Sequence, residues 1–310
     1  MLPIRRRSNA MTDVTKSLRL DFPQWQGGNN PSYVFGSEML SWLAPAPSGA
    51  FERVTVAPPG DQSLILESGI FGRQVLLEQA KEARRLIDFH QPDRIVTLGG
   101  DCFVSLSPFA YLNEKYGGEL AVLWVDAHPD VMTKDVFQNA HAMVMGNLLG
   151  EGETDFTKMV AQPIRPDRVM FAGVRNTLPV WPDVLKMESE IFKRLKLRSA
   201  GPQALAETSA PVLDWLKEIG AKHVAIHFDL DVLDPTLFRS LLFANPDPAV
   251  PKIEGSPSGA MNMAQVLRLM SDVSAVTDVV GLSITEHLPW DAMALKEMLS
   301  KLPLMGTSPQ

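Results

Sequence analysis

The chain has 310 residues, 45% of them apolar, with 29 basic against 36 acidic side chains and a formal net charge of -7. This length supports a large core, and the alternating pattern along it suggests one large α/β domain more than two small ones. The acidic balance argues against a nucleic-acid or anionic-membrane partner and leaves small polar or cationic substrates compatible, and no apolar run approaches the roughly 20 residues a membrane span needs.

The start, MLPIRRRSNAM, carries three arginines but lacks the apolar stretch of a secretory signal. Residues 1–10 therefore read as a disordered leader, an upstream start ahead of Met11, or added sequence. Residues 1–30 together read as a partly disordered leader and entry segment, ending in the Trp, Pro and Gly-rich DFPQWQGGNNP, and residues 31–310 as a single domain. Val54–Ala57 reads as a short strand. Residues 73–90 predict a helix, because Leu76, Ala80, Ala83 and Ile87 repeat at the spacing of one buried face. Arg94–Leu98 is a strand running into Gly99-Gly100, residues 104–116 a helix, and Leu120–Val125 the next strand. The alternation continues with strands at 168–174, 223–228 and 278–284 and helices near 183–196, 211–219, 264–275 and 291–300. Polar loops fall near 131–141 and 243–260. Strands that are apolar throughout and separated by helices predict a mainly parallel sheet covered on both faces, the three-layer α/β/α class.

Cys102 is the one cysteine, so no intrachain disulfide is possible and a reducing cytoplasm is the simplest compartment. It belongs to LGGDC (98–102), the first of three acid-bearing clusters; the others are VDAHPD (125–130) and HFDLDVLDP (227–235). Each follows a predicted strand, as does Glu286, and open parallel sheets gather ligands at the carboxyl ends of their strands. Asp126, His128 and Asp130 stand two residues apart, as do Asp229 and Asp231, so extended segments would point each set one way. Buried carboxylates need a cation partner, a metal or an altered pKa, and basic residues are scarce in these clusters. Four carboxylates and an imidazole suit divalent cations such as Mn²⁺. Two ions sharing bridging carboxylates would balance the charge better than one, and could ionise a water at neutral pH.

GGDC, DAHPD, DLDVLDP and ITEH, in this order and at these separations, resemble the ureohydrolase family, which includes arginase and agmatinase, over about residues 50–300. The resemblance implies hydrolysis of a small guanidino substrate to urea and an amine by two Mn²⁺ ions, on a three-layer α/β/α fold assembled as a trimer or hexamer. It implies that Cys102, Asp126, Asp130 and Asp229 hold one ion and Asp126, His128, Asp229 and Asp231 the other. The family motif normally has His where Cys102 stands, and a softer thiolate favours Zn²⁺, Fe²⁺, Co²⁺ or Ni²⁺ over Mn²⁺ there. His141, in NAHAMVMG, resembles the family's loop histidine for proton transfer. Glu286 resembles the acid that pairs with the guanidinium, and Asp130 counts with these two among the catalytic candidates. GVRNTLP (173–179) resembles the segment that reaches the substrate's far end, where arginases place an acid and this chain has Leu178. Trp181 and Trp290 are candidates to shape the pocket, with core packing the ordinary role for both. His227, two residues before Asp229, stands where the family commonly has a small residue and is not read as a ligand. Two other readings remain: a hydrolase of a formimino or amide C–N bond, and a non-catalytic member whose metal site Cys102 has impaired.

Overall fold

The computed structural model describes residues 15–61, 63–175, 182–247 and 258–304. Runs that are apolar at every position form strands with both faces covered; all five residues of Ala121–Val125 are buried. In chain order the elements are β1 (Ser17–Phe22), α1 (Ser32–Leu43), β2 (Ala50–Arg53), β3 (Leu66–Glu67), β4 (Ile70–Phe71), α2 (Arg73–His90), β5 (Arg94–Gly99), α3 (Leu106–Lys115), β6 (Ala121–Val125), α4 (Val144–Leu148) and α5 (Thr154–Thr157). There follow β7 (Val169–Ala172), α6 (Pro182–Leu195), β8 (Arg198–Ala200), α7 (Ala210–Glu218), β9 (His223–Asp229), α8 (Met263–Val276), β10 (Asp278–Thr285) and α9 (Trp290–Lys301).

Eight strands make one sheet in the order β2-β1-β5-β10-β9-β6-β7-β8, with every neighbouring pair parallel. The short β3 and β4 pair separately and antiparallel. Alternation along the strands assigns the two faces. Val122, Trp124, Val169 and Phe171 pack with Leu76, Ala80 and Ile87 of α2 and with Phe109 and Leu112 of α3. Ala121, Leu123, Val125 and Met170 pack instead with Val212 and Trp215 of α7 and Leu269 and Val273 of α8. The result is the expected three-layer α/β/α arrangement. Local chemistry supports it: α8 opens on a reciprocal capping box between Asn262 and Gln265, which satisfies two otherwise unpaired backbone donors. Among the described residues no helix is long and apolar enough to cross a membrane.

The amino-terminal part differs most from the sequence reading. Ser17–Phe22 lies inside the stretch read as entry segment, yet it forms β1, hydrogen-bonded between β2 and β5. The charged Arg19 and Asp21 interrupt its apolar run, which hides a strand buried on both faces. Leu18 and Leu20 enter the core. Arg19 is buried on the opposite face, where Nε donates to Asp21 at 3.2 Å and the guanidinium also donates to Ser41 Oγ at 2.9 Å and the Pro45 carbonyl at 2.7 Å. These bonds clamp α1 onto the sheet. The expected strand at Val54–Ala57 is displaced to Ala50–Arg53, which pairs with Leu18–Asp21, while Val54 passes into a small apolar cluster with Phe22 and Val104. The three-residue β8 was too short to show a period.

Leu20 is fully buried, so Leu20→Ala should lower the unfolding free energy by about 2–5 kcal/mol in urea titration. A loss below about 1 kcal/mol, the ordinary size for a surface change, would place β1 outside the cooperative core.

Candidate metal centre

Strands β5, β10, β9 and β6 are consecutive in the sheet, and their carboxyl ends deliver Cys102, Glu286, Asp229 and Asp126 to one place. After β5 the chain turns at Gly100 and Asp101. Asp101 caps the 3₁₀ turn Cys102–Ser105 by accepting from Phe103 N, and its other oxygen accepts from Gly28 N at 3.2 Å, so the loop before α1 is tied to the turn that carries the thiol. Gly28 has to be glycine: a Cβ there would come within 2.7 Å of His141 Nδ1 and 2.5 Å of the Tyr33 ring.

Donor atoms gather in two groups. Cys102, Asp126, His227 and Asp229 offer ligand atoms within 4.8 Å of one another, all buried, and Asp126, His128 and Asp231 form a second such group. Asp126 belongs to both. The Cys102 Sγ lies 3.1 Å from Asp229 Oδ2, 3.4 Å from Thr285 Oγ1 and 3.7 Å from Glu286 Oε1. His128 Nδ1 lies 3.0 Å from Asp231 Oδ2 and 3.4 Å from Asp126 Oδ1. The groups open on a cavity of about 440 Å³ whose wall includes Tyr33, Asp130, Phe137, His141, Arg175, Glu188, Phe243 and Glu286.

The electrostatics are unbalanced. Burial and the neighbouring Asp231 carboxylate push Asp126 up to about 7. Burial and the same carboxylate cluster hold Asp130 and Asp229 well above the usual range, burial does so for Glu286, and burial with Asp229, Asp130 and Asp126 raises the Cys102 thiol. Burial alone would lower the His128 imidazole, but Asp231 and Asp126 outweigh it and raise it. Among the described residues no Lys or Arg forms an ion pair with Asp126, Asp130, Asp229 or Asp231. Asp130 Oδ2 and Asp231 Oδ1 are buried without a hydrogen-bond partner. Carboxylate, imidazole and thiolate donors converging with unpartnered atoms and no cation side chain fit divalent metal ions, which would stabilise the charged forms that burial disfavours.

Around the donors, Glu286 has left-handed backbone geometry, φ +65°, unusual for a residue with a side chain and common where function holds strain. Two contacts hold it: its N–H donates to the Gly100 carbonyl at 2.7 Å, and the Tyr33 hydroxyl donates to its carboxylate. His141 Nδ1 is 3.9 Å from Glu286 Oε1, and burial holds that imidazole down to about 4, neutral at pH 7.

Of the expected residues, Cys102, Asp126, His128, Asp229 and Asp231 enter the donor groups, and His141, Glu286 and Asp130 line the same cavity. The extended geometry expected for the acid motifs is absent. Asp126 Oδ1 accepts from His128 N and Asp229 Oδ1 from Asp231 N, each at 2.6 Å, so both segments turn at once. Asp130 follows at φ +50° and stands outside both groups. Asp229 falls in one group rather than bridging two. Tyr33 and Glu188 were not read from the sequence; the first lies in the unread α1, and the second is one acid among several on α6, lifted to about 7 by burial. Trp290 starts α9 and donates to the Leu241 carbonyl at 2.7 Å, a packing role. Leu178, Trp181 and most of the 243–260 loop lie outside the described residues.

A model of the arginase family matches residues 44–290. Among curated proteins, mitochondrial arginase 1 of Arabidopsis thaliana is 28% identical over 218 residues, 69% of this chain and 53% of that protein. The chain spans about half the length of the curated relatives it matches. Entamoeba histolytica arginase, solved with L-ornithine, superposes with a TM-score of 0.70 at 20% identity, covering 88% of this chain and 91% of that one. Formimidoylglutamase of Bacillus subtilis gives 0.60 at 16% identity, over 90% and 81%. At these identities the superpositions establish the fold.

Saturating divalent metal should stabilise the folded chain. At 100 times Kd the gain is about 2.7 kcal/mol, a rise in Tm of roughly 5 °C for a chain of this size. A chelator should reverse it and Asp126→Asn should abolish it. An unchanged Tm with Mn²⁺, Zn²⁺ and Co²⁺ alike would remove the metal reading.

Proposed function

The chain belongs to the arginase family, and we propose that it is a binuclear metal-dependent hydrolase that cleaves a linear guanidino compound to urea and an amine. The observation that carries this is the pair of donor groups that share the buried Asp126 and present Cys102, Asp229, His128 and Asp231 to a cavity also lined by Glu286. Two divalent ions held by Cys102, Asp126 and Asp229 and by Asp126, His128 and Asp231 would supply a hydroxide at neutral pH and Lewis-acid polarisation.

The remaining steps fall to the chain's own residues. Glu286 accepts hydrogen bonds from the guanidinium, a planar cation that a carboxylate matches through paired contacts. Tyr33 and the Gly100 carbonyl fix that carboxylate before substrate arrives, so little reorganisation is needed on binding. His141, neutral and 3.9 Å from Glu286, would accept a proton at Nδ1 from the attacking water and pass it to the departing amine. Phe137, whose ring centroid lies 5.9 Å from that of His141, and Phe243 exclude water from the cavity wall. Asp130 stands outside both donor groups, and its role as a catalytic carboxylate is part of the proposal, supported by its buried, unpartnered Oδ2. Arg175 offers a positive charge to the rest of the substrate, and Glu188, lifted to about 7 by burial, a carboxyl that a cationic group would ionise.

Urea release should appear from one of arginine, agmatine, guanidinobutyrate, guanidinopropionate or guanidine after loading with Mn²⁺, Zn²⁺, Co²⁺, Ni²⁺ or Fe²⁺. Asp231→Ala should abolish it with the fold intact. Glu286→Gln, which removes a charge-assisted hydrogen bond, should lower kcat/KM by roughly 10- to 100-fold. Formamide released from a formimino amino acid, with no urea from the guanidino compounds, would move the reaction to a formimino bond, and no product from any pairing would leave a binding role.

A further inference from the structure

His227 has no part in the mechanism above, yet its surroundings aim it at the metal centre. In the β6–β9 register Trp124 lies opposite His227 and Val125 opposite Phe228, so Asp126 and Asp229 leave their strands side by side one residue later. The two-residue period of a strand turns Trp124 and Asp126 to one face, and His227 and Asp229 to the same one. His227 therefore sits one layer beneath the two aspartates.

Two contacts fix its ring. It stacks on the Trp124 indole, with centroids 3.6 Å apart and planes 10° from parallel, and its Nδ1 is 2.9 Å from Ser105 Oγ. The opposite nitrogen, Nε2, is 4.0 Å from Asp126 Oδ2 and has no hydrogen-bond partner, in a side chain with no exposed surface. A packing role would use the stack and the serine and would leave this polar atom buried and unsatisfied, at a cost in stability. The arrangement with one ring nitrogen held by an outer partner and the other left free toward carboxylates is that of a metal-binding imidazole.

We propose that His227 is a metal ligand, its Nε2 completing a site with Cys102 Sγ, Asp126 and Asp229, and that this site takes Zn²⁺ or Co²⁺ in preference to Mn²⁺. The donor set of thiolate, imidazole and two carboxylates is softer than an all-oxygen one, which is the basis of the preference. As a ligand His227 carries its proton on Nδ1, which then donates to Ser105 Oγ and leaves the lone pair on Nε2. The Asp126, His128 and Asp231 group, rich in oxygen, remains suited to Mn²⁺. The inference rests on the metal-centre reading and not on the identity of the substrate.

The test is Co²⁺ titration of the full, metal-stripped chain under reducing, oxygen-free conditions, without substrate. The wild type should bind two Co²⁺ with a thiolate-to-cobalt absorption band. Its proton NMR spectrum should show two exchangeable, hyperfine-shifted imidazole N–H signals, from His128 and His227. His227→Phe, which keeps an aromatic ring against Trp124, should lose one signal and weaken Co²⁺ and Zn²⁺ at the thiolate site by about tenfold or more, at least what removal of an outer-sphere partner costs. Wild-type affinity and both signals in His227→Phe would overturn the proposal. If that variant does not fold, the wild-type signals decide: a thiolate band with a single shifted imidazole overturns it. Two bound Co²⁺ together with no urea from any of the metal and substrate pairings above would sink the guanidino reading and leave this one standing, whereas no bound Co²⁺ would remove both.

Discussion

Several carboxylates sit within a few ångströms of one another, out of water and, among the described residues, without an ion pair to Lys or Arg, at the ends of neighbouring strands. Such an arrangement opposes folding: each charged oxygen is desolvated, and each repels the next. The raised pKa values of Asp126, Asp130, Asp229 and Glu286 express that opposition. The rest of the architecture reads as what is needed to hold the cluster in place. A parallel sheet with both faces covered supplies a rigid floor, since its strands are packed by α2 and α3 on one side and by α7 and α8 on the other. The donors are held by backbone amides rather than by cations, through the two tight turns at Asp126 and Asp229.

The same logic explains the strained and close-packed positions around the cavity. Glu286 and Asp130 both have positive φ, the first directly after β10 and the second two residues after His128. A conformation of this kind costs of the order of 1–3 kcal/mol and persists only where surrounding contacts over-determine it. For Glu286 those contacts are the Gly100 carbonyl and Tyr33. Tyr33 is available because α1 is clamped to β1 through Arg19, and because Gly28 lets the preceding loop approach Tyr33 and His141. A bond network that begins at a buried arginine in the first strand thus ends at the carboxylate proposed to bind substrate.

Cys102 and His227 belong together in this picture. The thiol is buried against Asp229, and the imidazole approaches the same space from the layer below, over the Trp124 ring. On the proposed reading the softer sulfur donor is accompanied by a nitrogen donor from the head of the third acid motif, a residue the sequence reading did not count as a ligand. The two would set which metal the site selects, independently of what the cavity admits.

The apolar strand runs, the amphipathic spacing of the helix at 73–90 and the acid motifs after three strands were legible by themselves, because strand period, helix period and clustered donors are local properties of the chain. They determined the fold class and which residues were candidates for a metal centre. What lay beyond local pattern was decided by tertiary structure. Arg19 and Asp21 concealed β1, since their charges satisfy each other only when α1 packs on them. The order of β5, β10, β9 and β6 placed Cys102, Glu286, Asp229 and Asp126 side by side, although 184 residues separate the first two. The turns at Asp126 and Asp229 withdrew Asp130 from the donor groups, and the register of β6 against β9 brought His227 into one. Which side chains can share an ion depends on distances of a few ångströms between strands, and those are set by sheet order, register and turn geometry rather than by spacing along the chain.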